Sequence, residues 1–305
     1  GGIMKRKNDT NVLIEFGSNT AKVYSCSALK STDACFYRLP LRLASQLNSS
    51  QMLSEKGIKS ILDTIADVKQ RFTNNDQIRL IGTEALRRAK NSAAVQQRIA
   101  EQFGLNLRIL SWQEEAEAAY RGVLGTAGAS GRIICFDIGG SSTEIIQGKD
   151  KKIERSKSFP VGAVDLSRKF IRKQPLTQCM YTALNMELER KLVWKNNLQL
   201  KLLGSGGAVY TCAMVALMHA GKSESEALKE IDGSTLRRSE IIRQEQSYRA
   251  LTLEQIRQIP GMDPSRVDII LPAVMIIRRI MENTREYSFI VSTRGVWQGI
   301  MFANR

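Results

Sequence analysis

Apolar residues along this chain recur first at the spacing of strands and then at the spacing of helices, and the alternation repeats to the end. The opening run NVLIEFGSNTAKVYSC predicts strand, tight turn, strand: Val12 to Ile14, a turn over Gly17 to Asn19, then Ala21 to Tyr24. Ile58, Ile61, Leu62, Ile65 and Val68 fall on one helical face, and Ser54 stands where an N-cap belongs, so a helix is expected from Ser54 through Phe72. Short strands follow at Ile78 to Gly82 and Leu105 to Leu110, separated by a helix around Val95, Ile99 and Phe103. A helix from Gln113 to Leu124 completes this part. Strands alternating with helices predict an α/β fold with a largely parallel sheet.

After GTAGASG, Gly125 to Gly131, the pattern starts again. Seven small residues between two periodic regions read as a linker, which divides the chain into an N-terminal α/β domain, residues 1–124, and a C-terminal one, residues 125–305. RIICFDIGGSSTEIIQG predicts strand, turn, strand, and KKIERSKSFPVG adds a third strand. A helix carrying Leu184, Leu188 and Leu192 comes next. LQLKLLGSGGAVYTCAMVAL then gives a strand, a glycine turn and a helix, and FIVSTRGVWQGIM gives one more strand, turn and helix. Placing Glu15 over Asp137 sets IEFGSNTAKVY over FDIGGSSTEII. In each, an apolar strand ends in a carboxylate and a turn of small hydroxyl and amide residues leads to a returning strand. Two unrelated hairpins have no reason to share that carboxylate. Duplicated halves with acidic turns facing each other predict a cleft between domains, where ligands commonly bind.

Composition narrows the chemistry. The single histidine, His219, ends an apolar helical stretch, so Ser-His-Asp and Cys-His mechanisms are set aside and carboxylates must move any proton. Five scattered cysteines without a CxxC pair predict reduced thiols and no zinc site. A formal charge of +15, from 45 basic and 30 acidic residues, favours a polyanionic partner: nucleic acid, an anionic membrane or a chain of phosphates. No basic stretch is interleaved with aromatics, so a stacking platform for single strands, and with it a nucleic-acid partner, is not expected. The most apolar C-terminal stretch, Val267 to Met281, is broken by Asp268, Arg278 and Arg279, so no membrane span is expected. With no charged-then-apolar leader, the expected location is the cytoplasm.

Glycine lets backbone approach a ligand closely, and successive amides of a tight turn make a concave anion site. A carboxylate beside phosphates is repelled unless a cation intervenes, so Glu15 and Asp137 are better placed to hold Mg²⁺ than to touch phosphate. GSGG, Gly204 to Gly207, repeats the strand, glycine turn, helix design that aims free amides at an anion. LSWQEEAEAAYRGV carries Glu114, Glu115 and Glu117, which face different ways on a helix; their ordinary role is to favour its N-terminus. In GTEALRRAKN, Arg87 and Arg88 follow a strand closely, and a guanidinium fork matches phosphate geometry.

Together these segments resemble the exopolyphosphatase / guanosine pentaphosphate phosphatase (Ppx/GppA) family in its short two-domain form. EFGSNT, GTEALRRAKN, EEAEAAYRGV, DIGGSSTE, PVGAVDL, GSGGAVYTCA, IPGMDPSRVDIILPA and VSTRGVWQG fall in the family's order, from about residue 11 to the C-terminus. The resemblance implies two ribonuclease H-like halves of the actin-like, sugar kinase and Hsp70 ATPase superfamily. It also implies a phosphoanhydride hydrolase that releases phosphate from inorganic polyphosphate with Mg²⁺, with guanosine pentaphosphate close behind as substrate. A weakly catalytic sensor of guanosine or adenosine polyphosphates is the alternative from another class, and an actin-like kinase ranks last.

By the same resemblance, Glu115 is the general base, and Glu15, Asp137 and Glu144 belong to the metal. Gly17, Ser18, Asn19, Arg87, Gly139, Gly140, Ser141, Ser142, Thr143, Gly206 and Gly207 belong to the phosphates. Oligomeric state stays open, with a homodimer one option. Three residues depart from the family's pattern: Glu15 replaces an Asp, Ser141 a signature glycine, and Ala273 a glycine common after ILP.

Overall fold

The structure is a computed structural model, and it describes residues 11–26, 35–72, 77–126, 129–195 and 200–301, without the side chains of residues 26, 35 and 36. Ala127 and Gly128 of the expected linker, Leu198 and Gln199 at the head of an expected strand, and the Cys26 and Cys35 thiols therefore lie outside the described residues. The thiols of Cys135, Cys179 and Cys212 are free. The chain divides into two units, Gly1–Trp112 and Gln113–Arg305.

In the first unit the described elements are β1 (Asn11–Phe16), β2 (Thr20–Cys26), β3 (Cys35–Pro40), α1 (Glu55–Arg71), β4 (Gln77–Gly82), α2 (Glu84–Arg88), α3 (Ser92–Phe103) and β5 (Leu107–Ile109). Their sheet runs β3-β2-β1-β4-β5. The first three strands pair antiparallel, and β4 and β5 continue parallel to β1. β1 is central, which is why its apolar run is buried on both faces. Ser54 caps α1, accepting from the Gly57 amide at 3.2 Å. The stripe Ile58, Ile61, Ile65 and Val68 shares one core with Val12, Ile14 and Phe16 of β1.

The second unit holds α4 (Trp112–Val123), β6 (Arg132–Ile138), β7 (Thr143–Lys149), β8 (Lys152–Phe159), α5 (Ala163–Phe170), α6 (Gln178–Lys191), β9 (Lys201–Ser205) and α7 (Gly207–His219). It continues through α8 (Glu224–Glu230), β10 (Thr235–Arg237), α9 (Arg238–Ala250), α10 (Leu253–Arg257), α11 (Ile270–Thr284), β11 (Ser288–Val291) and α12 (Val296–Met301). The sheet order is β10-β11-β9-β6-β7-β8, with β6-β7-β8 antiparallel and β9 and β11 parallel to β6. Set aside the edge strand β10 and the order repeats that of the first unit. Each unit thus carries the same sheet, as two ribonuclease H-like halves require. The apolar segment that begins at Val267 forms α11, whose Val274, Ile276, Ile277 and Ile280 are fully buried. Among the described residues no helix is long and apolar enough to cross a membrane.

The division between units falls at Trp112/Gln113, on the first turn of α4, whereas the boundary expected from the glycine-rich segment lies at 124/125. Packing explains the difference. Gly122 lies so close to Gly295 that a Cβ would collide with the carbonyl, and Gly299 lies equally close to Ala118. Tyr120 is fully buried and donates to the Asp150 carbonyl at 3.0 Å. These contacts tie α4, and the glutamates on its first turn, to the second unit. A methyl group at residue 122 must push α4 away from α12, so Gly122→Ala is expected to lose about 1–3 kcal/mol. Urea denaturation checks this; full stability in the variant would show that the close approach is not required.

Candidate active site

The second unit gathers most of the predicted residues at one end of its sheet. Asp137 is the penultimate residue of β6, and its partner directly across the hairpin is Glu144. Between them the Gly139 amide donates to the Ser142 carbonyl at 2.8 Å and closes the turn. The Gly139 carbonyl accepts from Ala163, and the Gly140 carbonyl from Val164 and Asp165, all at the start of α5. Gly162 is needed there, because a Cβ would collide with the Gly140–Ser141 backbone. The loop is thus clamped by its carbonyls to a following helix. The Ser141 hydroxyl is buried and has no hydrogen-bond partner. Thr143, one of the predicted phosphate contacts, instead donates its hydroxyl to the Val161 carbonyl at 2.6 Å and is fully buried.

Opposed carboxylates on neighbouring strands repel, and here the environment sharpens the repulsion. Glu144 is 5% exposed and accepts from Ser158 at 2.8 Å. Burial pushes its carboxyl up, and the charge of Glu115 pushes it further. Hydrogen bonds from Ser142 and Ser158 pull it down in part and Asp137 adds to the rise, leaving it at about 8. Glu115, on the first turn of α4, therefore stands within electrostatic reach of Glu144; it is half-buried, whereas Glu114 and Glu117 are exposed and Glu117 pairs with Arg121 at 3.6 Å. Of the three glutamates the sequence offers, only Glu115 is linked to Glu144 in this way.

Gly206 and Gly207 join β9 to α7 beside the same hairpin. Gly206 has φ of +89°, open to glycine, and a Cβ there would strike the Asp137 carboxylate. A Cβ on Gly207 would strike the guanidinium of Arg266, a buried arginine 3.3 Å from Asp263. Sequence reading did not single out Arg266. Its only signal is a basic residue in the segment IPGMDPSRVD, and nothing local says that it reaches a turn near residue 207.

In the first unit the matching hairpin is built differently. Glu15 occupies the position that corresponds to Asp137, and its cross-strand partner is Lys22. The Lys22 ammonium lies 2.7 Å from one Glu15 oxygen, and the Tyr24 hydroxyl donates to the other at 3.2 Å. The turn is closed by Gly17 donating to the Thr20 carbonyl at 3.0 Å, and the Ser18 and Asn19 carbonyls accept from Ala44 and Arg42. Around it the side chains of Ser18, Asn19 and Thr20 are buried with no hydrogen-bond partner on Ser18 Oγ, Thr20 Oγ1 or either amide atom of Asn19. Four unsatisfied polar atoms thus lie in one turn, free to meet a polar ligand. Arg87 sits on α2 where β4 ends beside β1, with Gly82 in register with Phe16. Its guanidinium is held by Glu84 and donates to the Leu110 carbonyl at 2.8 Å.

The predicted metal ligands fit Mg²⁺ unequally. Among the described residues no group of three or more His, Cys, Asp or Glu side chains forms a metal cage. Mg²⁺ asks for less, since one or two carboxylates suffice when phosphates and water complete its shell. Asp137 and Glu144 meet that demand, and their crowded negative charge favours a cation. Glu15 does not: its carboxylate is already paired with the Lys22 ammonium.

A model of the Ppx/GppA phosphatase family matches residues 37–304. A Haemophilus influenzae protein provisionally named an exopolyphosphatase is 25% identical over 99% of this chain and 94% of its own length. A guanosine-5′-triphosphate,3′-diphosphate pyrophosphatase of Aliivibrio fischeri is 31% identical, but over 47% of this chain and 29% of that protein. The chain thus spans less than a third of that longer relative. The crystal structure of an exopolyphosphatase from Cytophaga hutchinsonii shares the fold, with a TM-score of 0.83 over 97% of both chains at 19% identity.

Removing the ammonium strands a carboxylate that is buried at the end of β1. Lys22→Gln is expected to lower stability at pH 7 by about 2 kcal/mol, below the value for a fully buried pair because Lys22 keeps some contact with water. Chemical denaturation measures it; no loss would mean that Glu15 finds another partner.

Proposed function

The chain belongs to the Ppx/GppA phosphatase family, and we propose that it hydrolyses the terminal phosphoanhydride bond of inorganic polyphosphate, releasing phosphate. The observation that carries this reading is the approach of Glu115 to the cross-strand pair of half-buried Asp137 and buried Glu144, beside a turn of glycine and serine. Glu115 and Asp137 are both half-buried, and with Asp137 assigned to the metal, Glu115 is the one suited to take a proton from water.

In the proposed step, a water oxygen attacks the terminal phosphorus as its proton passes to Glu115. The new O–P bond forms while the bond to the bridging oxygen breaks, and the shortened chain leaves with the electron pair. No covalent enzyme intermediate is required. Gly139, Gly140, Ser141 and Ser142 receive phosphate oxygens at the β6–β7 turn, and Gly206 and Gly207 leave room for them beside Asp137. Arg266 adds positive charge at the start of α7. In the first unit, the unsatisfied side chains of Ser18 and Asn19, beside Gly17, are suited to phosphate oxygens. Asp137 and Glu144 would hold Mg²⁺, which when bound supplies charge neutralisation to the phosphate oxygens.

A second reading keeps the same residues and changes the substrate. Guanosine pentaphosphate, cleaved to the tetraphosphate, is supported by the 31% identity to the Aliivibrio fischeri pyrophosphatase. Phosphate release from long polyphosphate, guanosine pentaphosphate and ATP, each with and without Mg²⁺, separates the readings. Loss of the proton acceptor in Glu115→Gln is expected to lower kcat by about 10²–10⁴-fold. Equal turnover in the variant would remove Glu115 from the reaction, and tight binding without turnover in the parent would make the chain a sensor.

A further inference from the structure

The same helix that clamps the phosphate turn leads to a cluster of cations that the reaction does not use. α5 begins with amides bonded to Gly139 and Gly140, and Lys169 lies six residues beyond Ala163, about 9 Å along the helix axis. There Lys169 meets α6. Its ammonium is 2.9 Å from Glu187, and Arg190 and Lys191 reach the same carboxylate at 2.8 and 3.0 Å. One buried carboxylate thus gathers three cations from two helices, and they keep 60%, 67% and 31% of their side-chain surface open.

Burial alone would raise the Glu187 carboxyl, but hydrogen bonds from Arg190, Lys169 and Lys191 bring it down to about 2, so the anchor stays charged. Just past α5, Arg172 and Lys173 are exposed and form no ion pair among the described residues. An ordinary solvated face balances its charges pairwise. This one holds its cations together and leaves most of their charge unanswered.

The geometry points to a second binding surface on α5 and α6, in which Lys169, Arg190 and Lys191, with Arg172 and Lys173 beside them, hold phosphates of the same polyphosphate chain upstream of the bond being cleaved. This deepens the proposed function and rests on it. A linear polyanion is the fitting ligand because the cations are spread over a surface reached from the turn, and Phe170, which lies among them, is half-buried with its ring under the Lys169 ammonium, 4.9 Å away. Such a surface favours long chains over a substrate that ends after a few phosphates.

The test compares KM for polyphosphate of several hundred units with KM for tripolyphosphate, in the full chain. Arg172→Gln/Lys173→Gln touches no ion pair and so keeps the fold. Lys169→Gln/Arg190→Gln is the stronger change, with circular dichroism and melting temperature measured alongside. In each double variant the ratio of long-chain KM to tripolyphosphate KM is expected to rise several-fold, and about tenfold or more with all four changes combined. A ratio equal to that of the parent overturns the surface, as does an equal loss on both substrates. Should the parent release no phosphate from polyphosphate, the proposed reaction fails by itself, and equilibrium binding of long polyphosphate decides the surface separately. Binding weakened several-fold in the variants upholds it. Unweakened binding, or equal binding of an RNA of matched length, overturns it.

Discussion

A carboxylate facing a carboxylate across one hairpin, Asp137 against Glu144, is the constraint around which the second unit is arranged. Like charges directly opposed on adjacent strands destabilise a sheet, and burial makes the pair worse. Nothing in the packing requires them. Two serine hydroxyls lean on Glu144, and the β6–β7 turn is locked to α5 through its carbonyls, so the pair is held in place despite its repulsion. α4 then brings a third acid, Glu115, towards them, fixed by glycine contacts to α12. A site that stores negative charge is ready for a cation, a proton or both.

The duplicated hairpin in the first unit shows the same backbone with the opposite electrostatic solution. Residues Glu15 and Lys22 stand at the same offset as Asp137 and Glu144, and the exchange of an acid for an ammonium closes the charge balance internally. What remains unsatisfied there is neutral: hydroxyls and an amide at Ser18, Thr20 and Asn19. One backbone arrangement therefore serves two ends, with polar groups in the first unit and clustered acids in the second.

Much of this was legible in the sequence because it depends on local pattern. The period of Ile58, Ile61, Ile65 and Val68 and the cap at Ser54 gave α1, and alternating strands and helices gave both sheets. The paired turns at Glu15 and Asp137 showed the duplication. Register arithmetic across the first hairpin could also have placed Lys22 opposite Glu15, since a turn at Gly17 to Thr20 fixes that pairing. Other features were not legible. Arg266 meets Gly207 across a long sequence separation, and the commitment of Arg87 to the Leu110 carbonyl and of Thr143 to Val161 depends on tertiary neighbours. β10, three residues with one buried side chain, offers too little pattern to be read. Flexible composition marks where a chain can bend, whereas the division between the units follows where α4 packs.

The convergence of Glu115 and Glu144 is tested most directly by carboxyl NMR of isotope-labelled glutamate in metal-free protein. One glutamate should titrate near pH 8, vanish in Glu144→Gln, and move towards the ordinary carboxylate range in Glu115→Gln. Every glutamate titrating in that ordinary range in the parent protein would contradict it.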